Sequence, residues 1–195
     1  HNNRPEWNIM DIGMAQIGAI NVPVYPTISP KDYIYIFNDA SVKYCFVGHG
    51  DLLDKVRKAQ KEVPSLQGIF TFDKINDCKD AKGTDVNHWE TILTKGDLAL
   101  VEKVKRTIDP HDLATLIYTS GTTGNPKGVV YSHRSTLLHA FGGSMPDVVA
   151  ASYKETTLPI VPMFHVNAWG APYASLMVGT KMVMPGPKMA DGEAL

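Results

Sequence analysis

The sequence predicts an α/β protein, layered around a largely parallel sheet, on two observations. Short apolar runs rich in β-branched and aromatic residues alternate with helix-period segments of about 10 to 15 residues, which is the rhythm of right-handed βαβ units. The composition fits one sizeable core: 44% hydrophobic and 20% charged over 195 residues.

Taken in order, Trp7, Met10, Met14 and Ile17 recur at three- and four-residue spacing and predict an amphipathic helix from Pro5 to Ile20. VPVYP (Val22 to Pro26) reads as a short strand closed by proline. A second helix is expected over Pro30 to Asp39, with Ser29 as N-cap and Tyr33, Ile34 and Phe37 on one face. VKYCFVG (Val42 to Gly48) is a buried-strand candidate, Leu52 to Val63 repeat helically up to Pro64, and GIFTF (Gly68 to Phe72) is the next strand. From Asp73 to Asp109 the rhythm breaks. A short helix around His88 to Leu93 is expected there, and Lys95, Asp97, Glu102, Lys103, Lys105 and Arg106 read as a solvated surface. Ser132 can cap a helix running through Leu137, Leu138 and Phe141 to Gly142 and Gly143. Thr157 to Val161 is read as a strand, Ala168 to Val178 as a helix ended by Gly179, and Lys181 to Met184 as the last strand. The carboxyl ends of these strands are expected to carry the site.

The chemistry concentrates in LIYTSGTTGNPKGVVYSH, Leu116 to His133. An apolar run, Leu113 to Tyr118, enters a turn and a second run, Val129 to Tyr131, leaves it. The turn carries four hydroxyls (Thr119, Ser120, Thr122, Thr123), three glycines (Gly121, Gly124, Gly128), Pro126 and one cation, Lys127. Glycines let backbone N–H groups approach a polyanion, hydroxyls donate further hydrogen bonds, and a lysine neutralises charge. The chemistry suggested is phosphate binding, although composition alone also fits a surface loop. The G-x-x-x-x-G-K-[ST] template fails, because five residues beyond Gly121 stands Pro126 and five beyond Gly124 stands Val129.

YTSGTTGNPKG resembles, unbroken, the signature loop of the adenylate-forming superfamily: acyl-CoA synthetases, luciferases and the adenylation domains of peptide synthetases. The resemblance implies that the loop holds the β- and γ-phosphates of ATP while a carboxylate attacks the α-phosphate. It implies Thr119 as a magnesium-associated hydroxyl, Ser120, Gly121, Thr122, Thr123 and Gly124 as the phosphate cradle, and Lys127 as a mobile catalytic cation.

PMFHVNAWG, Pro162 to Gly170, resembles the second motif of the same superfamily. Alone, His165 and Trp169 would read as packing residues. The resemblance instead implies His165 near the substrate carboxylate, as a catalytic residue, with Val166 and Trp169 against the adenylate. The other histidines, His1, His49, His88, His111, His133 and His139, lack metal-ligand spacing, and His133 reads as structural at a helix start. A carboxylate substrate is already ionised, so charge stabilisation at phosphorus matters more than a base.

The flanking segments suggest a fatty acid as substrate. NRPEWNIMDIGMAQIGAINVPVYP and its continuation to Gly48 resemble long-chain fatty acyl-CoA synthetases of bacteria. The part after the loop, with YSHR and PMFHVNAWG, is closer to a medium- and long-chain branch, and a join inside the loop would account for the difference. The implied partners are a fatty acid, ATP with Mg2+, and coenzyme A as acyl acceptor, with a homodimer in the full-length protein. On this resemblance, residues 1–195 are expected to be an incomplete AMP-binding domain. The acidic magnesium partner, the ribose-binding aspartate, the hinge and the C-terminal lid with its lysine would lie beyond Leu195. The chain is therefore expected to be inactive alone. A non-catalytic nucleotide- or acyl-binding module and a luciferase- or peptide-synthetase-type enzyme are the competing readings.

A net charge of −1 leaves no electrostatic footprint for nucleic acid. Cys45 and Cys78 make neither a disulfide framework nor a metal cluster, so reduced thiols in a cytoplasmic protein are expected, with peripheral membrane attachment as the alternative. No apolar run approaches the roughly 20 residues of a spanning helix.

Overall fold

The computed structural model describes residues 3–48, 50–75, 78–93, 96–119, 124–186 and 192. Helices are α1 (Pro5–Gln16), α2 (Pro30–Asp39), α3 (Asp51–Gln60), α4 (Leu98–Lys105), α5 (His133–Gly143) and α6 (Ala171–Val178). Strands are β1 (Tyr44–Val47), β2 (Gly68–Thr71), β3 (Asn87–His88), β4 (Leu113–Thr119), β5 (Lys127–Ser132), β6 (Thr156–Thr157) and β7 (Lys181–Met182). The chain divides into two compact units, 24–98 with 118–128, and 2–23 with 99–117 and 129–195.

In the first unit β1, β2 and β3 pair in that order, all parallel, with Tyr44 opposite Gly68 and Val47 opposite Thr71. A helix, α3, connects β1 to β2, because parallel neighbours need a long crossover. The core is Tyr33, Ile36 and Phe37 of α2, Leu53, Val56 and Ala59 of α3, and Val63, Leu66, Ile69, Phe72 and Trp89. Each of the Val, Leu, Ile and Phe side chains among them, removed from water, contributes about 1.5–3 kcal/mol. Phe46 stacks on Phe70 at 4.9 Å between ring centroids. β1 is less buried than expected, Tyr44 being 54% exposed.

In the second unit α1 ends four residues earlier than predicted, at Gln16, and Gly18 follows with φ +67 against Ile108. Its fully buried residue is Asp11, not one of the predicted apolar set. β6 and β7 pair in parallel, and Asn21 makes an isolated parallel bridge to Thr115 of β4. β4 and β5 form a two-stranded ribbon. Its strands run antiparallel, since His133 N donates to Asp112 O while Thr119 Oγ1 reaches Lys127 O at the other end. The exit strand is exposed, Val130 at 59%.

Several expectations are corrected. VPVYP is not a strand: Pro23 and Pro26 lack N–H donors, and pairing shrinks to the bridge at Asn21. Thr157 to Val161 keeps only Thr157 in β6. Beyond it the Asn3 side chain binds the backbone instead, donating to Pro159 O at 2.7 Å and Val161 O at 2.9 Å and accepting from Met163 N at 2.8 Å. Lys181 to Met184 pairs only over Lys181–Met182. α5, by contrast, ends at the expected glycine pair Gly142 and Gly143, with Ser144 as C-cap. The charged stretch before Asp109 contains α4, a helix with no buried residue. The predicted helix start at Ala168 is a left-handed turn, and α6 begins at Ala171.

Candidate functional site

β4 delivers the glycine and hydroxyl loop. Ile117 and Tyr118 at its end are buried, which anchors the strand, whereas Thr119 is exposed. Tyr118 Oη donates to Asp39 Oδ2 at 2.5 Å. Burial, then that hydrogen bond and the Asp39 charge, push the Tyr118 phenol up, so it stays a donor at any ordinary pH. Thr119 Oγ1 lies 3.4 Å from Lys127 O, at the weak limit of a hydrogen bond, so the hydroxyl remains available to another partner. Ser120, Gly121, Thr122 and Thr123 lie outside the described residues. Gly124 is exposed at φ +104, a value that side-chain-bearing residues rarely take. Lys127 is exposed at the first position of β5. Thr119, Gly124 and Lys127 thus belong to one unit and frame the mouth of the loop. Ser132 then caps α5 and His133 takes its first position, as the sequence predicts.

The second motif lies in the other unit. His165 is exposed and precedes a turn in which Val166, Asn167, Ala168 and Trp169 take φ of 47, 46, 49 and 55, followed by Gly170 at 75. Left-handed backbone costs residues with a Cβ roughly 1–2 kcal/mol each. Surrounding contacts hold it. His139 Nε2 is 3.0 Å from Trp169 O, which assigns the ring proton to Nε2, and Asn167 Nδ2 donates to Tyr173 Oη at 2.9 Å. The turn leaves Val166 half-buried and Trp169 70% exposed, so the indole is presented rather than packed. Strain of this kind concentrates at functional sites.

The arrangement can do two things chemically. An exposed hydroxyl and ammonium at the ends of a glycine loop can receive a polyphosphate. The exposed imidazole and indole can meet a partly apolar ligand. Among the described residues no group of three His, Cys, Asp or Glu side chains is placed to hold a metal ion. Thr119 supplies a single hydroxyl, which suits a cation that arrives with nucleotide phosphates as its main ligands. Cys45 and Cys78 are both free thiols. No described helix is long and apolar enough to cross a membrane.

Sequence reasoning missed Asp39, Asn167, Tyr173, His139 and Asp11. For Asp11 the signal was present: it stands four residues after Trp7 and three before Met14, a carboxylate on the apolar face of its helix.

The chain is 36% identical over 194 residues to the 3-methylmercaptopropionyl-CoA ligase of Ruegeria pomeroyi, covering 100% of this chain and 35% of that protein. Both parts of the chain and the loop between them align with that one enzyme. It is 39% identical over 173 residues to the medium-chain fatty acid–CoA ligase of Ectopseudomonas oleovorans, 87% of this chain and 31% of that one. The fold is that of the apo MbtA structure from Mycobacterium smegmatis, at TM-score 0.77 and 19% identity over 97% of this chain and 34% of that chain. The chain spans about a third of the length of the curated relatives it matches. The family described as AMP-binding enzyme matches residues 1–195, both site motifs included, and the chain belongs to that family.

Proposed function

We propose that the protein carrying this chain is an acid–thiol ligase that activates a medium- or long-chain fatty acid with ATP and transfers the acyl group to coenzyme A. The observation that carries the reading is the loop between β4 and β5, whose exposed Thr119 and Lys127 and positively twisted Gly124 suit a polyphosphate. A carboxylate oxygen attacks the α-phosphorus, the bond to the β-phosphate oxygen breaks, and pyrophosphate leaves. The thiol sulfur then attacks the acyl carbonyl, AMP leaves, and the thiol proton is released. Thr119, Ser120, Gly121, Thr122, Thr123, Gly124 and Lys127 bind the nucleotide in this reading. Mg2+ sits at Thr119, His165 faces the carboxylate, and Val166 and Trp169 line the adenylate. Residues 1–195 are the incomplete AMP-binding domain, with a lid domain and homodimer contacts outside them.

A second acid class is favoured by one observation: identity to a ligase named for 3-methylmercaptopropionyl-CoA is 36%, close to the 39% with a medium-chain ligase. A short acid therefore belongs in the substrate series. The test is exchange of labelled pyrophosphate into ATP by the full-length gene product, driven by acids from short thioether acids to long-chain fatty acids. Exchange driven best by a medium or long acid is expected. In Lys127→Ala, exchange should fall about 100-fold or more, the usual cost of one lost charge-stabilising donor. Acid binding should stay within about twofold of the parent, since the lysine meets only phosphate. No exchange with any acid from folded protein would favour a non-catalytic binding module, and equal loss of exchange and acid binding would remove Lys127 from the phosphate site.

A further inference from the structure

A buried polar chain runs through the second unit and ends on the left-handed turn. It starts at β4, where Asn21 N donates to Ala114 O at 3.1 Å and Leu116 N to Asn21 O at 2.9 Å. Thr115 Oγ1 adds a third bond, to Asn21 O at 3.1 Å. The Asn21 side chain passes inward, its Nδ2 donating to Asp11 Oδ1 at 2.6 Å. The Asp11 carboxylate also accepts from Tyr173 Oη, and that hydroxyl accepts from Asn167 Nδ2 at 2.9 Å. Asp11 is 5% exposed, Thr115 2% and Asn167 3%. Asn167 Oδ1 is buried with no hydrogen-bond partner, so the orientation of its amide depends on the Tyr173 bond.

An apolar residue at position 11 would suit the helix face better, since a buried carboxylate is costly unless its hydrogen bonds are complete. The two donors reaching Asp11 come from Asn21, fixed by its bridge to Thr115, and from Tyr173 of α6, and the chain ends on the run of consecutive positive φ at 166–169. We propose that Asp11, Tyr173 and Asn167 are positioning residues that hold the left-handed turn 166–169 in the geometry that receives the acyl-adenylate. The proposal rests on the ligase reading. The role falls to three residues outside the glycine loop, and its loss should weaken the hold on both the acid and the nucleotide.

The experiment uses the full-length gene product with Tyr173→Phe, which removes the hydroxyl at the centre of the chain. Asn167→Gly is the second variant, because glycine keeps the left-handed backbone and deletes only the amide. Amide hydrogen exchange over 165–170 should quicken at least tenfold in either variant, while exchange in β1 and β2 stays unchanged. In pyrophosphate exchange the KM for the acid should rise at least fivefold, and that for ATP should rise with it, since Val166 and Trp169 of the same turn line the adenylate. The double variant should be no worse than the worse single one, as residues acting in series require. Unchanged exchange over 165–170 in both variants would overturn the proposal. So would a loss of kcat with both KM values unmoved, which is the signature of a merely structural role. If the parent exchanges no pyrophosphate with any acid, the ligase reading fails, and the amide data alone still decide whether this chain holds the turn.

Discussion

Gly170 illustrates how one residue without a side chain permits a motif. It sits at φ +75, and a Cβ placed on it would lie 2.7 Å from His139 Cδ2. That ring cannot step aside without losing its bond to Trp169 O. Gly124 shares the positive φ, at +104, but a Cβ there would meet nothing within 4 Å. The two alanine variants therefore separate backbone strain from steric clash. Gly124→Ala should cost about 1–2 kcal/mol, the backbone term alone. Gly170→Ala should cost at least about twice that, because clash and a lost hydrogen bond add to it. Denaturant midpoints of the two variants check the order, and equal losses would mean that His139 yields freely.

Elements whose ends are set by local chemistry were legible; those set by distant partners were not. α2 follows prediction from Pro30 to Asp39 because Ser29 and Asp32 close a capping box, Asp32 N donating to Ser29 Oγ at 3.2 Å and Ser29 N to Asp32 Oδ2 at 3.3 Å. α5 begins where predicted for the same reason, through Ser132 and Ser135. The strand, loop and strand around Lys127 could be read from a motif with apolar flanks. In contrast, the coil over 158–161 depends on Asn3, more than 150 residues away in sequence, and no local pattern announces it. α4 was hidden because Leu98 and Leu100 on it are exposed, so no buried periodicity marks it. Nor does residue type announce the turn at Val166, since a β-branched residue disfavours positive φ. Of the candidate site, the exposed Thr119 and Lys127 at the ends of the loop could be read from the motif, Ser120 to Thr123 lie outside the described residues, and the groups that orient the second motif could not be read. The cap makes a direct prediction: Ser29→Ala should destabilise the protein by about 1 kcal/mol, and Ser29→Thr, which keeps the hydroxyl that donates to Asp32 Oδ2 at 2.7 Å, should largely retain the parent's stability. A thermal melt distinguishes these, and an unchanged Tm in Ser29→Ala would mean that α2 is held by its packed face alone.

At the scale of the whole chain, each unit holds one buried carboxyl whose pKa folding shifts, and the two shifts have opposite sign. In the first unit Asp80 pins a tight turn to α3. Its Oδ1 accepts from Lys82 N at 2.9 Å and Thr84 N at 2.8 Å, and its Oδ2 accepts from Gln60 Nε2 at 2.9 Å. Burial pulls its pKa upward, but these hydrogen bonds and the Lys82 charge outweigh burial and leave it below the ordinary value of 3.8. In the second unit, burial raises the Asp11 carboxyl, and the hydrogen bonds from Tyr173 and Asn21 only partly offset it. The signs follow from linkage. A carboxyl lowered on folding contributes stability above its unfolded pKa and loses it as pH falls through its folded value. One raised on folding contributes stability below its unfolded pKa and loses it as pH rises through its folded value. The two windows lie on opposite sides of the shared ordinary value of 3.8, Asp80 below it and Asp11 above it, so their summed contribution passes through a maximum between them. Asp80→Asn exposes the first. The variant should be less stable than the parent at neutral pH, because the amide brings two donors to a site built of donors. The gap should narrow below about pH 4 as the parent's own carboxylate takes up its proton. Chemical denaturation of the two proteins in parallel from pH 7 to pH 3 measures the gap. A difference that stays constant across that range would mean that the charge of Asp80 contributes nothing and only its shape holds the turn.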